Sequence, residues 1–227
     1  MALETPASRV CWDAPGGVEV ETPRGTLRAG ACIVTVSTGV LAAGRPRLDP
    51  APPGLDSALD GLPMGLLTKV VLRASGADRL GLPADCSLVR RIAPGETPAV
   101  FLAWPGGRDH VVGFVGGGAA WALAREGAGA AEAFMRAELR RMVGAGVDRA
   151  LAPGVVTDWG TDPLHLGAYA YARPSRADLR GWAARTGGRL AFAGEAWRTD
   201  GLAGTVGGAH LGGEAAAARV LAGEDAG

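Results

Sequence analysis

Near the end of the chain, Arg189-Leu190-Ala191-Phe192-Ala193-Gly194-Glu195 is followed, after a loop, by Gly204-Thr205-Val206-Gly207-Gly208-Ala209. A short apolar run, a glycine, an acid, a glycine-rich loop and then an alanine-rich run predict a strand, a loop and a helix start, in the order a ligand cradle requires. A helix entered through glycines presents free backbone N–H groups and the positive end of its dipole. An electron-rich or anionic ligand suits that place.

The rest of the sequence narrows what such a ligand can be. Lys plus Arg balance Asp plus Glu at 23 each, so no charge footprint points to nucleic acid or an acidic membrane surface, and a small or neutral partner is favoured. Cys11, Cys32 and Cys86 are an odd number without a Cys-x-x-Cys spacing, which argues against a disulfide framework and a structural zinc site. They read as reduced thiols in a cytoplasmic protein. His110, His165 and His210 lie far apart and form no ligand pairing, so no metal site is expected. No apolar run is long enough to span a bilayer and the start lacks a signal-peptide layout, so the expectation is a soluble, unexported protein.

Val18, Val20 and Leu27 alternate with polar residues around a Pro23-Arg24-Gly25 turn, predicting a hairpin with one wet face. Ala31 to Val36 is apolar on both faces and reads as a strand inside a sheet, ended by Ser37-Thr38-Gly39. Four prolines between Arg45 and Gly54 exclude regular helix or inner strand there and read as a connector, with a domain boundary near residue 45. Asp56 to Leu62 predicts a short helix capped by Asp56. Leu66 to Leu72 predicts a strand on which Leu67, Lys69 and Val71 share a face. A lysine between aliphatic residues is either a snorkelling edge residue or a functional one.

Val100 to Trp104 and Val111 to Val115 read as a hairpin through Pro105 to Asp109, with Trp104 in the core. Residues 130–143 show helical spacing, with Glu132, Arg136 and Arg140 on the solvated side. Val155 to Trp159 predicts a further strand. Tyr169 and Tyr171 would share a face if extended, lining a pocket or closing a core. Ser175 is a candidate cap for a helix through Arg185 ended by Gly187-Gly188, and residues 223–227 are expected to fray.

Taken together the motifs resemble the flavin-dependent amine oxidases, the family of monoamine and polyamine oxidases and the flavin histone demethylases. The resemblance rests on four ordered stretches: Val18-Glu19-Val20 with Cys32 to Leu41; Lys69-Val70-Val71-Leu72; Trp159-Gly160-Thr161-Asp162-Pro163 with Gly167-Ala168-Tyr169; and Phe192-Ala193-Gly194-Glu195 with Gly204 to Ala209. It implies FAD as cofactor, with Gly194, Glu195, Gly204, Thr205 and Val206 binding it. Glu195 would contact the ribityl and phosphate region, and the helix start at Thr205 and Val206 would face the N1 and O2 edge of the ring. Lys69 would be the catalytic lysine that holds a water at flavin N5, and Trp159 and Tyr169 would line a pocket for a small-molecule amine. Ala168 stands where the monoamine oxidases carry the cysteine bonded to flavin, implying non-covalent FAD. The loop from Ala196 to Ala203 is read as lacking the aromatic residue that many members place opposite Tyr169.

The fold implied is α+β or α/β. Residues 1–44 would be a segment of an FAD-binding domain and residues 45–185 a mixed-sheet substrate-binding domain. Residues 186–227 would be the C-terminal strand and helix of the Rossmann-like FAD-binding domain. The family's opening Gly-x-Gly-x-x-Gly strand and helix has no counterpart in the sequence, so the expectation is a partial chain that works with an N-terminal nucleotide-binding polypeptide. A catalytically inactive remnant and a non-enzymatic ligand-binding module are the alternatives.

Overall fold

The structure is a computed structural model and describes residues 1–186 and 188–223. Gly187 of the expected helix-ending pair, and residues 224–227 of the expected frayed end, lie outside the described residues. The chain forms two compact units, residues 1–65 with 163–227 and residues 66–162. The expected segments 1–44, 45–185 and 186–227 divide the chain by anticipated role, whereas these units divide it by packing.

In the first unit, β1 (Arg9–Cys11) pairs antiparallel with β2 (Val18–Thr22), which forms the expected hairpin with β3 (Gly25–Ala29), Val20 opposite Leu27. Val18 is buried, but Leu27 is exposed because β3 is the outer strand. After β4 (Cys32–Val34), Ser37 caps α1 (Thr38–Ala42), its Oγ accepting the Val40 N–H at 3.1 Å. The expected ending at Ser37 is therefore also a helix start.

The proline-rich stretch departs from its reading as a bare connector. Arg47, Leu48 and Asp49 form β5 (Arg47–Asp49), parallel to β1, between Pro46 and Pro50. A strand this short fits between prolines because they flank it and leave its own N–H groups free to pair. Helix α2 (Leu55–Gly61) follows, and its cap is Gly54 at φ 77°, not Asp56, which lies in the first turn. Glycine reaches that backbone geometry without a Cβ clash.

The second unit is built on an antiparallel sheet ordered β10-β6-β9-β8-β7: β6 (Leu67–Ala74), β7 (Cys86–Val89), β8 (Val100–Ala103), β9 (His110–Gly116) and β10 (Leu151–Val156). Helices α3 (Gly117–Glu126), α4 (Ala128–Val143) and α5 (Val147–Ala150) complete it. Thr68, Val70 and Leu72 point into the core with Phe101, Val111 and Met135, and the Leu67, Lys69 and Val71 face is the more open one. Trp104 is buried as expected, and its indole N–H donates to the Arg79 carbonyl at 3.2 Å. Strand β10 lies earlier than the expected Val155 to Trp159. Pro153 and Gly154 are tolerated because β10 is an edge strand with an irregular register there.

One residue of α4 defies its composition. Glu138 is buried, its carboxylate taking Arg90 Nε at 2.8 Å and the guanidinium of Arg141. Burial of a carboxylate requires such partners.

The chain then returns to the first unit. A 3-10 turn over Ala177–Gly181 leads into α6 (Trp182–Arg185), with no side-chain cap from Ser175, which sits at φ 63° outside the turn. Strand β11 (Leu190–Phe192) pairs parallel with β4, and α7 (Val206–Leu221) follows. Phe192, Trp182 and Trp197 form an aromatic core cluster with ring centroids 4.8 to 6.2 Å apart. Each such pair adds about 0.5–1.5 kcal/mol beyond its area.

Candidate functional site

The strand, loop and helix predicted at the end of the chain are all present, in the first unit. β11 is anchored by the Ala193 N–H to the Val34 carbonyl at 3.0 Å and by the Cys32 N–H to the Arg189 carbonyl at 2.8 Å. The chain leaves the strand through Gly194 at φ 129°, a conformation that a side chain strains, and enters a 3-10 turn over Glu195–Trp197.

Glu195 uses both carboxylate oxygens on main chain. Oε1 accepts the Ala170 N–H at 2.9 Å and Oε2 accepts the Gly204 N–H at 3.0 Å. A carboxylate has about four lone-pair directions, so two acceptor positions are left. Gly204, at φ 75°, lies against the Tyr169 ring: a Cβ there would stand 3.4 Å from Tyr169 Cδ2. Three expected residues, Glu195, Gly204 and Tyr169, are thus brought together, with Gly194 adjoining.

Thr205 is the N-cap of α7. Its hydroxyl donates to the Leu202 carbonyl at 2.7 Å and accepts the Gly208 N–H at 2.9 Å. Gly208 is required by contact, since a Cβ would stand 2.1 Å from the Leu202 carbonyl oxygen. One turn on, Gly212 faces the Gly194 backbone, with a Cβ site 3.5 Å from its oxygen. Gly208 thus lets the helix sit close on the loop at Leu202, while Gly212 lies at ordinary contact distance from Gly194. Val206 is 88% exposed and Gly207 is exposed. Their N–H groups have no acceptor within the helix, so a 16-residue helix opens its positive end to solvent.

Tyr169 and Tyr171 do share a face, and both are half exposed, while Ala170 between them is buried. They therefore do not close a core. The stretch from Ala196 to Ala203 does contain an aromatic residue, Trp197, but its ring is in the core beside Trp182 and Phe192.

Lys69 and Trp159 belong to the second unit. Lys69 is exposed on β6, its N–H donating to Thr157 Oγ1 at 2.9 Å while its carbonyl accepts the Thr157 N–H at 2.9 Å. Trp159 is 39% exposed, two residues beyond Thr157. The three cysteines carry free thiols, and burial pushes that of Cys32 above its ordinary pKa. Among the described residues there is no cluster of metal-ligating side chains and no helix long and apolar enough to cross a membrane.

The family described as flavin containing amine oxidoreductase matches residues 1–221. No curated protein matches the sequence. Among solved structures, wild-type putrescine oxidase bound to putrescine superposes with a TM-score of 0.74 at 22% identity. A triple mutant of putrescine oxidase, made to redesign its cofactor binding, gives 0.72 at 22%. Each match covers 96% of this chain and 48% of the other, so the chain spans about half the length of those structures. At this identity the likeness is one of fold, a mixed α/β architecture with a mixed sheet in the first unit.

Proposed function

The chain belongs to the flavin-containing amine oxidoreductases, and on that premise we propose that it contributes to an FAD-dependent amine oxidase, with FAD held non-covalently and a small-molecule amine as substrate. The family match over residues 1–221 carries this reading. The putrescine ligand of the structurally similar oxidase favours an aliphatic amine.

The residues present fit a flavin at one wall. The open start of α7 offers the N–H groups of Val206 and Gly207 to an electron-rich ring edge, and a preorganised helix N-terminus stabilises negative charge that develops there. Thr205 holds that helix start in place. Glu195 retains acceptor capacity for ribityl hydroxyls while Gly194 and Gly204 keep the backbone close on either side. By the family resemblance, Tyr169 of the first unit would take an amine-lining role, and in the second unit Trp159 would take an amine-lining role and Lys69 would hold a water and move a proton at its Nζ. When bound, FAD supplies the hydride acceptor for a carbon bearing an amine, with oxygen or another acceptor reoxidising it, and water hydrolyses the resulting imine.

Residues 1–44 and 186–227 would serve FAD and residues 45–185 the substrate, with a nucleotide-binding polypeptide supplying the pyrophosphate contacts. Free thiols favour a cytoplasmic setting. Co-expression with a Gly-x-Gly-x-x-Gly nucleotide-binding half, followed by the flavin absorbance spectrum, tests the proposal, and an assembly without FAD overturns it. Titrating the chain alone with FAD tests the inactive remnant, since micromolar binding by the chain alone counts against it, and Lys69→Met separates an enzyme, which should lose turnover, from a binding module, which should keep its ligand affinity.

A further inference from the structure

The segment that carries the two tyrosines is extended, but it has a strand neighbour on one side alone among the described residues. On that side Ala168 N–H, Tyr169 C=O and Tyr171 N–H pair with Gly65 C=O, Gly65 N–H and Pro63 C=O at 2.8 to 3.0 Å, with Met64 bridged antiparallel to Ala170. The alternation of an extended chain turns the Ala170 groups to the opposite edge. There two side chains meet them: Glu195 Oε1 accepts the Ala170 N–H at 2.9 Å and Arg180 Nη2 donates to the Ala170 carbonyl at 3.5 Å. Arg180 is anchored by a shorter bond, Nη1 to the Ala196 carbonyl at 2.7 Å. The planar fork of a guanidinium suits it to span two carbonyls.

We infer that Arg180, with Glu195, replaces a third strand along the Ala170 edge and so sets the Tyr169 ring against Gly204, making Arg180 a positioning residue of the amine pocket. The pocket role rests on the proposed function; the positioning of Tyr169 does not. Ala170 is buried, so its two groups cannot turn to water. The same Glu195 carboxylate fixes Gly204, the residue under the Tyr169 ring. Arg180 holds the carbonyl one residue further on, so residues 170, 195–196 and 204 are held in one network.

The full chain labelled with 3-fluorotyrosine tests this, because Tyr169 and Tyr171 are its two tyrosines and Tyr171→Phe assigns the fluorine resonances. Arg180→Ala should shift and broaden the Tyr169 resonance in a protein that still melts cooperatively, and Arg180→Lys, which keeps the charge but not the fork, should restore part of the shift. An unchanged Tyr169 resonance in folded Arg180→Ala overturns the inference. If that variant does not fold, Arg180→Gln takes its place and is read in the same way. In an FAD-loaded assembly with putrescine as probe, Arg180→Ala should raise KM about tenfold and leave kcat within about threefold. An unchanged KM overturns the pocket role, while an assembly that takes up no FAD overturns the proposed function and leaves the fluorine result standing.

Discussion

Glu195 Oε2 accepts the backbone N–H of Gly204 at 3.0 Å across nine residues of chain, so a side chain fastens the loop entering α7 in addition to the loop's own local bonds. Glu195→Gln keeps the shape but exchanges one acceptor oxygen for a donor, leaving a single side-chain acceptor for the two N–H groups. We expect a loss of about 1–3 kcal/mol in urea unfolding. Glu195→Ala removes both acceptors and should cost more.

The glycines of α7 separate contact from conformational freedom. Gly208→Ala drives a Cβ to 2.1 Å from the Leu202 carbonyl oxygen, whereas the nearest atom to a Cβ at Gly207 is Thr205 Oγ1 at 4.0 Å. Gly208→Ala should destabilise by at least about 1–3 kcal/mol. Gly207→Ala should instead be neutral or stabilising by up to about 1 kcal/mol. Thermal melts of the two variants side by side check the contrast.

Removing the Thr205 hydroxyl frees the Gly208 N–H and the Leu202 carbonyl together. Thr205→Ala should lower stability by about 1 kcal/mol, and Thr205→Ser should recover most of it. Amide exchange at Gly208 reads the cap directly.

In the second unit, Glu138→Ala strips Arg90 of a buried partner and leaves it Glu96, at 2.9 Å. Breaking a buried pair is costly because a charge stays behind, but Arg90 keeps a second carboxylate. We expect a loss of about 2–4 kcal/mol. Glu138→Met, which removes the charge but fills the space, should lose stability as well, since Arg90 and Arg141 still point there.

Acid should weaken the fold through carboxylates held by arginines. Hydrogen bonds from Arg9 keep Asp49 below its ordinary pKa, and those from Arg90, with the Ala93 N–H, do the same for Glu96. A pKa depressed in the folded state means the stabilisation is fully present above the unfolded values near about 4 and is lost as the pH falls through the folded ones. The melting temperature should therefore hold between about pH 7 and 5 and decline below about pH 4. Asp49→Asn with Glu96→Gln should start lower and decline less steeply across that range.

Local pattern made much of this fold legible. The hairpin over Val18 to Leu27, the pair β8 and β9 and the helix ending at Val143 follow from alternation, turn residues and helical spacing, all short-range signals. β5 was hidden because its partner β1 lies 38 positions away, Arg9 opposite Arg47, and its flanking prolines argue against a strand. The inward face of β6 was not decided by sequence, since Leu67 and Val71 are as apolar as Val70 and Leu72. Asp56 and Ser175 have capping chemistry but stand two positions and one position from the actual caps, Gly54 and Arg176. The burial of Glu138 carries no local signal, because the arginine that partners it comes from residue 90.

The same holds at the candidate site. A helix start was legible from glycines followed by an alanine-rich run, and the family resemblance places it at Thr205 and Val206. What Glu195 binds was not, because backbone N–H groups carry no sequence signature. Arg180 was missed for the same reason, since its acceptors are the carbonyls of Ala170 and Ala196. A search for a charged side chain near a two-tyrosine strand could have raised it, without saying what it holds.

The placement of Pro153 and Gly154 in β10 bears on self-association. Proline has no N–H to offer a neighbouring chain, and both residues lie exposed on one border of the second unit's sheet. The opposite border is β7, where Val89 is exposed and no proline interrupts the run. The sheet can therefore accrete a further strand from one side more readily than the other. A proline or lysine introduced at β7 should reduce that edge pairing.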